Sequence, residues 1–487
     1  MSAGTRLILK GELRNFKRKP KGRSWTLQEK LFWLPHYKRS PRAFRLLSAY
    51  LCIPGESALK ELLSKITIEP GIIEASLKLL KQTIPTLPDK DKVCTVLFDE
   101  VYLRGHLRQR LKHKKIEGFE DYGLHGRSHL VADHALVFMV QGLGFQFVLP
   151  IAYYFVSKTC PATMLKILLK DVINVLLSIG LTVVASVSDQ GPTNRRAINE
   201  LKQKGGDDVF YYVGDKRVAH VWDVPYLIKN VRNNLLTSDL QYDEGRIGRW
   251  RDIIEYSKLD NSLCKMSKLT LKHLNPQGRD KMRVPLAVQT LSNTRANFMQ
   301  MLHDVTNGEK LPNCMDTVHL IRDIDTFTNL TIGPRSKKDE KDGKRTDVTE
   351  NSIHHSKWNE MTAKLMKWVF IRKKDGSRHV PHCVRGLIEN IKTFRYLWVK
   401  VKKLGLNRLH LRGLNQDALE NLFCLIRQCF GCSTDLTCGQ FTAALKTTMI
   451  SKFAKTVKGK NCMDDSAVFL RDLALFLKKK QCRETSC

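Results

Sequence analysis

The spacing of apolar positions changes period at two places along the chain, and each change predicts a new kind of element. Before the first change the spacing is helical. Ser40-Pro41 reads as a helix start, with Ser as N-cap and Pro in the first turn. Phe44, Leu47 and Leu51 follow at i, i+3 and i+7, with Arg42 and Arg45 interleaved. Ile53-Pro54-Gly55 breaks the pattern, and Ser57 opens a second short helix carrying Leu59, Leu62 and Leu63. Two short helices joined by a Pro-Gly turn in a basic context fit a helix-turn-helix; an ordinary helical hairpin fits equally well.

The stretch Ile84-Pro85-Thr86-Leu87-Pro88 marks the first change, and strands are expected beyond it. They are Val93 to Phe98, Asp133 to Val140, Phe147 to Val156, Thr182 to Val187 and Val209 to Val213. Helices begin at Pro161, through Met164, Leu165, Leu168, Val172 and Leu176, and again at Pro192. Three strands, a helix, a strand and a further helix approximate the order of an RNase H-like core. The second change comes at Pro225, after which the chain reads as mostly helical to about Leu411, with one solvated charge run, Arg335 to Arg345. Asn415 then opens a helix whose apolar face is Leu419, Leu422, Phe423 and Ile426, with Asp417, Glu420 and Arg427 on the other face. A final amphipathic helix is expected from near Asp465 to the basic run Lys478-Lys479-Lys480.

The expected fold is α/β: an RNase H-like catalytic core split by a large all-α insertion and preceded by a helix-turn-helix. The segments are a basic arm over 1–24, the helix-turn-helix region over 25–88 and the first part of the core over 89–224. The insertion follows over 225–411, then the second part of the core over 412–455 and a basic tail over 456–487.

Composition sharpens this. With 487 residues there is room for about three domains. A net charge of +34 points to a polyanionic partner. No apolar run approaches the ~20 residues that span a bilayer. Met1 to Arg23 carries eight Lys or Arg against one Glu and has no apolar signal core. Lys17-Arg18-Lys19-Pro20-Lys21-Gly22-Arg23 reads as a nuclear address or a phosphate-binding arm, so a nuclear location is expected. Thirteen cysteines without a secretory signal suggest a reducing compartment. Cys429 and Cys432 have zinc-like spacing, but no matching His or second pair lies nearby.

The candidate chemistry rests on three carboxylates. Asp99 ends one apolar run, Asp189 ends another just before the breaker Gly191-Pro192, and Glu420 lies on the later helix. Phosphodiester cleavage and strand transfer develop negative charge on the attacking and leaving oxygens, which two divalent ions about 4 Å apart stabilise. Magnesium, or manganese, takes carboxylate oxygens and keeps waters, so three acidic side chains suffice. Asp99 would bridge the two ions, with Asp189 and Glu420 each completing one. Glu100 competes with Asp99 for the same role, but alternation along a strand points the two to opposite faces.

Four motifs occur in order. Leu97-Phe98-Asp99-Glu100 is followed by Ser188-Asp189-Gln190-Gly191-Pro192-Thr193-Asn194. Next comes Trp222-Asp223-Val224-Pro225-Tyr226-Leu227-Ile228-Lys229-Asn230-Val231-Arg232-Asn233-Asn234, and last Leu414-Asn415-Gln416-Asp417-Ala418-Leu419-Glu420-Asn421-Leu422-Phe423 with Ile426-Arg427. Over roughly residues 25 to 450 the chain resembles the P-element transposase family, including its THAP-domain-containing relatives. The resemblance implies a cut-and-paste DNA transposase acting on transposon ends and target DNA, with Asp99, Asp189 and Glu420 as its catalytic, metal-holding residues. It also implies a homo-oligomer on DNA. The 231 positions between Asp189 and Glu420 leave room for the family's helical insertion, which in some members binds GTP without hydrolysing it. Lys281 to Thr294 resembles part of that insertion. Lys281 then matches a phosphate-side Lys and Asn329 a guanine-contacting Asn, and Asp417 is a third cofactor-binding candidate. No phosphate loop of the Gly-x4-Gly-Lys-Ser/Thr type is present.

The chain departs from the family pattern in several places. Thr326 stands where a base-reading Asp is expected, with Asp325 adjacent, and Tyr226 replaces a His. The family's N-terminal THAP zinc finger is missing, since the first cysteine is Cys52, and no Pro-containing stretch follows Arg427. Lys229 and Arg232 offer possible phosphate contacts, while Asp223 itself reads equally as structural. Three readings remain: a metal-dependent transposase, a domesticated or truncated relative that binds DNA or represses transposition without cutting, and a GTP-regulated scaffold.

Overall fold

The computed structural model describes residues 3–64, 68–110, 115–205, 209–243, 245–263, 265–334 and 345–455. The basic tail with its expected helix, and the charge run at 335–344, lie outside the described residues.

The chain opens with four helices: α1 (Ala3–Asn15), α2 (Leu27–Arg39), α3 (Pro41–Tyr50) and α4 (Glu56–Ser64). Ser40 caps α3 through its hydroxyl, as the Ser-Pro start predicts. Phe44, Leu59 and Leu62 bury against Leu31, Trp33 and Leu34 of α2, so the two expected short helices pack on a third. The basic arm is helical where no helix was expected. Its α1 is held by tertiary contacts: Arg14 pairs with Glu29 at 2.8 Å, and Asn15 is buried.

The core follows. A short β1 (Gly71–Ile72) and α5 (Glu74–Thr83) lead into β2 (Val93–Tyr102). A hairpin of β3 (Arg108–Arg110) and β4 (Lys115–Glu117) and another of β5 (Phe119–Asp121) and β6 (Arg127–Val131) come next. Then follow β7 (His134–Gly142), β8 (Val148–Val156), α6 (Ala162–Ser178), β9 (Thr182–Ser188) and α7 (Pro192–Gly205). β10 (Phe210–Val213) and β11 (Lys216–Trp222) complete the main sheet, whose order is β10-β11-β9-β2-β7-β8-β5-β6, with β1 added on β8. β2, β7 and β8 are antiparallel neighbours; β9 and β11 join in parallel. The runs expected as strands are strands, with ends shifted by a few residues. The short β1 and β3 to β6, and β11, are not among the expected strands: β11 reads Lys-Arg-Val-Ala-His-Val-Trp, too polar at its start to look like an interior strand.

The insertion begins with α8 (Val224–Thr237), β12 (Ser238–Tyr242), β13 (Arg246–Gly248) and α9 (Trp250–Leu263). It continues with α10 (Leu271–Leu274), α11 (Val284–Thr290), α12 (Asn293–Val305), α13 (Cys314–Ile332) and α14 (His354–Met366). β14 (Val369–Arg372), β15 (Arg378–His379) and α15 (His382–Lys403) return the chain to the core. The expectation of an all-α insertion is corrected here: it is mostly helical but carries a sheet ordered β13-β12-β14-β15. The reason is distance along the chain. β12 pairs with β14 at Leu240↔Phe370, and strands this short leave no local periodic signal. The last described helices are α16 (Asp417–Gln428) and α17 (Cys438–Lys455). Among the described residues, no helix is long and apolar enough to cross a membrane.

Candidate active site

Strand register builds the site. Leu97 of β2 lies opposite Val187 of β9, and Val187 lies opposite Val221 of β11, both in parallel pairing. Two residues further along a strand the side chain returns to the same face. The next row on that face is therefore Asp99, Asp189 and Asp223. The Asp223 N–H donates to Ser188 O at 2.8 Å and carries the ladder to this row. Neighbouring strands lie about 4.8 Å apart, so three carboxylates gather at the carboxyl ends of three parallel strands, where open α/β sheets bind ligands.

Each carboxylate is held by a different device. Asp99 Oδ1 accepts the Glu100 N–H at 2.8 Å. Asp189 Oδ1 accepts the Gly191 N–H at 3.1 Å and Asn194 Nδ2 at 2.6 Å, an Asx turn closed before Pro192 starts α7. The Gln190 side chain donates to His382 O at 2.9 Å, and a Cβ on Gly386 would meet that amide at 2.6 Å, so this glycine lets α15 lie close over the Asp189 turn. Glu100 takes the other face of β2, as alternation requires. It accepts Cys160 N–H at 2.8 Å and the Thr159 hydroxyl at 3.3 Å, and so serves the approach to α6.

Glu420 arrives from 321 positions beyond Asp99 by way of a clamp. Gln416, fully buried at the N-cap of α16, donates its side-chain amide to Phe98 O and its backbone N–H to Asp223 Oδ1, both at 2.8 Å. Thr95 Oγ1 donates to Gly413 O at 3.0 Å, and a Cβ on Gly413 would stand 2.4 Å from Leu143. Leu419, Leu422, Phe423 and Ile426 are buried, as the apolar face predicts, which turns Glu420 outward toward the carboxylate row. Asp223 uses its second oxygen to accept Tyr226 N–H at 3.1 Å and thereby caps α8.

The electrostatics are those of like charges crowded together. Burial first, and then the charges of Asp189 and Glu420, hold the Asp99 carboxyl well above the usual carboxylate range. Glu420 is raised by burial and then by Asp417, with Lys229 opposing. Asp223 is pushed up to about 7, chiefly by burial. The donor set is all oxygen, the preference of magnesium. Asp99 Oδ2, Asp189 Oδ2 and the Glu420 carboxylate have no hydrogen bond among the described residues, which leaves them to a cation. As they stand, no three His, Cys, Asp or Glu groups among those residues converge closely enough to hold an ion.

The structure separates the two basic residues of α8. Arg232 is fully buried and not a phosphate contact: its Nη2 donates to Lys281 O at 3.1 Å and Asp280 O at 3.4 Å, tying α8 to the insertion. Lys229 faces the carboxylates. Of the cofactor candidates, Lys281 is exposed in the turn that Arg232 holds. Asn329 lies on α13, where it donates to Asp325 Oδ2 at 2.8 Å and accepts Arg345 Nε at 2.9 Å. Asp417 lies in the core rather than the insertion, 3.5 Å from Arg412 and one turn before Glu420. No hydrogen bond or ion pair joins these three.

Sequence reasoning missed the residues that act on backbone. Asn390 of α15 pairs with both the N–H (2.9 Å) and the carbonyl (2.6 Å) of Trp222, satisfying the buried end of β11 that extends past its pairing with β10. Nothing in its sequence context marks it. Asn194 and Gln416 do lie inside motifs already singled out, five residues after Asp189 and four before Glu420, and turn chemistry could have found the first.

Three sequence models match the chain: the TNP-like RNase H N-terminal domain over residues 68–202, the TNP-like GTP-binding insertion domain over 225–340 and the TNP-like RNase H C-terminal domain over 413–446. Together they take in more than half of it. Among solved structures, the Drosophila P element transposase strand transfer complex is similar, with a TM-score of 0.76 and 21% identity over 92% of this chain and 96% of that one. No curated protein matches the chain by sequence.

Proposed function

Because the chain belongs to the P-element-transposase-like family, we propose that it cuts and joins DNA strands at the Asp99–Asp189–Glu420 site. The observation that carries this reading is the clamp. Gln416 fastens the helix bearing Glu420 to the strand bearing Asp99 and to Asp223 at the end of β11. Bound magnesium or manganese would activate the attacking hydroxyl and stabilise the leaving oxygen. Asp99, Asp189 and Glu420 would supply its oxygens. Asn194 and the Gly191 N–H fix Asp189, and the clamp fixes Glu420. The net charge of +34 supplies the attraction to DNA. Action in the nucleus as an oligomer on DNA belongs to the same reading.

The test is strand joining in vitro, with a pre-cleaved transposon-end duplex, a supercoiled target and Mg²⁺. Joined product is expected, with DNA binding that weakens steeply between 50 and 200 mM salt, by about 10³-fold or more if six or more phosphates are contacted. Binding without joining would favour the non-cutting relative instead.

For the insertion we propose GTP as a bound, unhydrolysed cofactor. Thr326 is exposed, whereas Asp325 lies one turn from Asn329 and bonds to it. A carboxylate and an amide on one helix face can pair with the donor and acceptor edge of guanine. Asp325 thus takes the place left by the departure at Thr326, with Lys281 toward the phosphates. Asp325→Ala is expected to weaken GTP binding about tenfold or more in equilibrium dialysis, since hydrogen bonds to charged groups contribute roughly 1.5–3 kcal/mol. Unchanged affinity would remove Asp325 from the site.

A further inference from the structure

Lys229 is a charged residue that the three-carboxylate chemistry does not use. It occupies the second turn of α8, six residues after the cap Asp223, which shares the carboxylate row. The residue is 3% exposed, so its stem is enclosed by protein. Its ammonium lies 3.8 Å from the centre of the Tyr226 ring, a distance at which cation and ring face attract. The opposing charges that act on it are Asp189, Asp223 and Glu420, and the like charge is Arg232. These groups lie at the end of β9, at the start and middle of α8 and in the first turn of α16, while the helix itself packs on α11, α13 and α15. Yet no carboxylate comes within 4.0 Å of it among the described residues. A lysine present only to neutralise the cluster would close on one of these carboxylates. This one is held short of them by a neighbouring ring.

We infer that Lys229, propped by Tyr226, contacts a non-bridging oxygen of the phosphate undergoing transfer, as a substrate-contacting residue beside Asp99, Asp189 and Glu420. The inference rests on the DNA-joining reading above and adds a fourth residue to its site. The phosphate is the anion that this arrangement lacks. When cations occupy the carboxylates, their pull on Lys229 falls and the ammonium is left facing the reacting group. Lysine is suited to such a contact as a compact point charge with three donors. Tyr226, where the family pattern has His, supplies the ring that fixes the long side chain and limits the entropy lost on ordering it.

The experiment is a double-mutant cycle on binding, run with Ca²⁺ in place of Mg²⁺ to suppress chemistry. The probe is a branched strand-transfer product DNA, with either a natural phosphodiester or an uncharged methylphosphonate at the junction. Lys229→Met is expected to weaken binding of the natural junction about tenfold, a typical effect of removing one charge-assisted hydrogen bond. The methylphosphonate is expected to weaken the wild-type protein to a similar degree. The two changes together should cost no more than either alone. Lys229→Arg, which keeps the charge, should recover part of the loss and reports on folding. Additive losses, or a Lys229→Met protein that binds the natural junction as the wild type does, overturn the inference while the DNA-joining reading stands. Failure of the wild-type protein to prefer the branched product over plain duplex removes that reading, and the inference with it.

Discussion

Asp99→Ala and Glu420→Ala proteins will bind DNA as tightly as the wild type and join strands at least ~10³-fold more slowly, the scale on which electrostatic stabilisation of a transition state operates. Neither side chain carries the fold. Asp99 Oδ1 makes one hydrogen bond, to the adjacent backbone, and Glu420 makes none among the described residues. Both are costly to the metal-free protein. The folded-state pKa of Asp99 is raised, so its ionisation is penalised by folding, and stability falls as pH climbs through the ordinary carboxylate range toward the raised value. Asp99→Asn removes that penalty. In EDTA at pH 8 it should melt above the wild type, and near pH 4, where the folded carboxyl is neutral and the unfolded one only about half ionised, most of the gap should close. Magnesium should reverse the order at pH 8, because only the wild type keeps the full oxygen set and is stabilised by mass action. Because ligand oxygens must be deprotonated, apparent magnesium affinity should also rise with pH. Thermal melts at the two pH values, with and without Mg²⁺, test all of this. A wild type more stable than Asp99→Asn in EDTA would contradict the crowding.

The second large effect is expected at Asp223. Its two oxygens accept the N–H groups that start α8 and α16, so Asp223→Ala orphans one buried and one part-buried donor. Each costs about 1–3 kcal/mol. A folded-state pKa of about 7 against an ordinary 3.8 carries the opposite sign. The buried anion costs up to about 4 kcal/mol once pH exceeds the folded value, at ~1.4 kcal/mol per unit. The stability lost on substitution should therefore be larger at pH 5, at up to about 4 kcal/mol, than at pH 8. Urea titrations in EDTA at those two pH values read it directly, and an equal loss at both would contradict the raised pKa. Strand joining should fall about 10²-fold or more even where the protein folds, because the clamp that sets the distance of Glu420 from Asp99 keeps only its bond to Phe98 O, and ångström misplacements cost that much. Full activity in a folded Asp223→Ala protein would mean that the clamp does not position Glu420.

Much of the core could be read from local pattern. The apolar runs ending at Asp99 and Asp189 are buried strands, so their content and length identified them without knowledge of their neighbours. The helix bearing Glu420 showed its apolar face at the right spacing for the same reason. The cap at Ser40 and the alternation that sends Glu100 to Thr159 and Cys160 are short-range chemistry within a few residues. The strands of the insertion were not legible, because Leu240 meets Phe370 only after the intervening helices have folded back. Arg232 was misread for a related reason: a cation looks like a phosphate ligand until the carbonyls of Asp280 and Lys281 are seen to surround it.

By itself the sequence determined which residues can do chemistry and roughly where each element begins. Side-chain identity, hydrophobic period and turn formers act over a few residues and are written in order along the chain. Only the tertiary structure decided that Asp99, Asp189 and Asp223 stand in one row, since that depends on the register of three parallel strands. It alone decided that Glu420 reaches them, through Gln416 bonding to groups 193 and 318 positions away, and that Lys229 rather than Arg232 faces the site. These are consequences of long-range pairing, where hydrogen-bond partners are chosen by geometry and leave no trace in the local pattern.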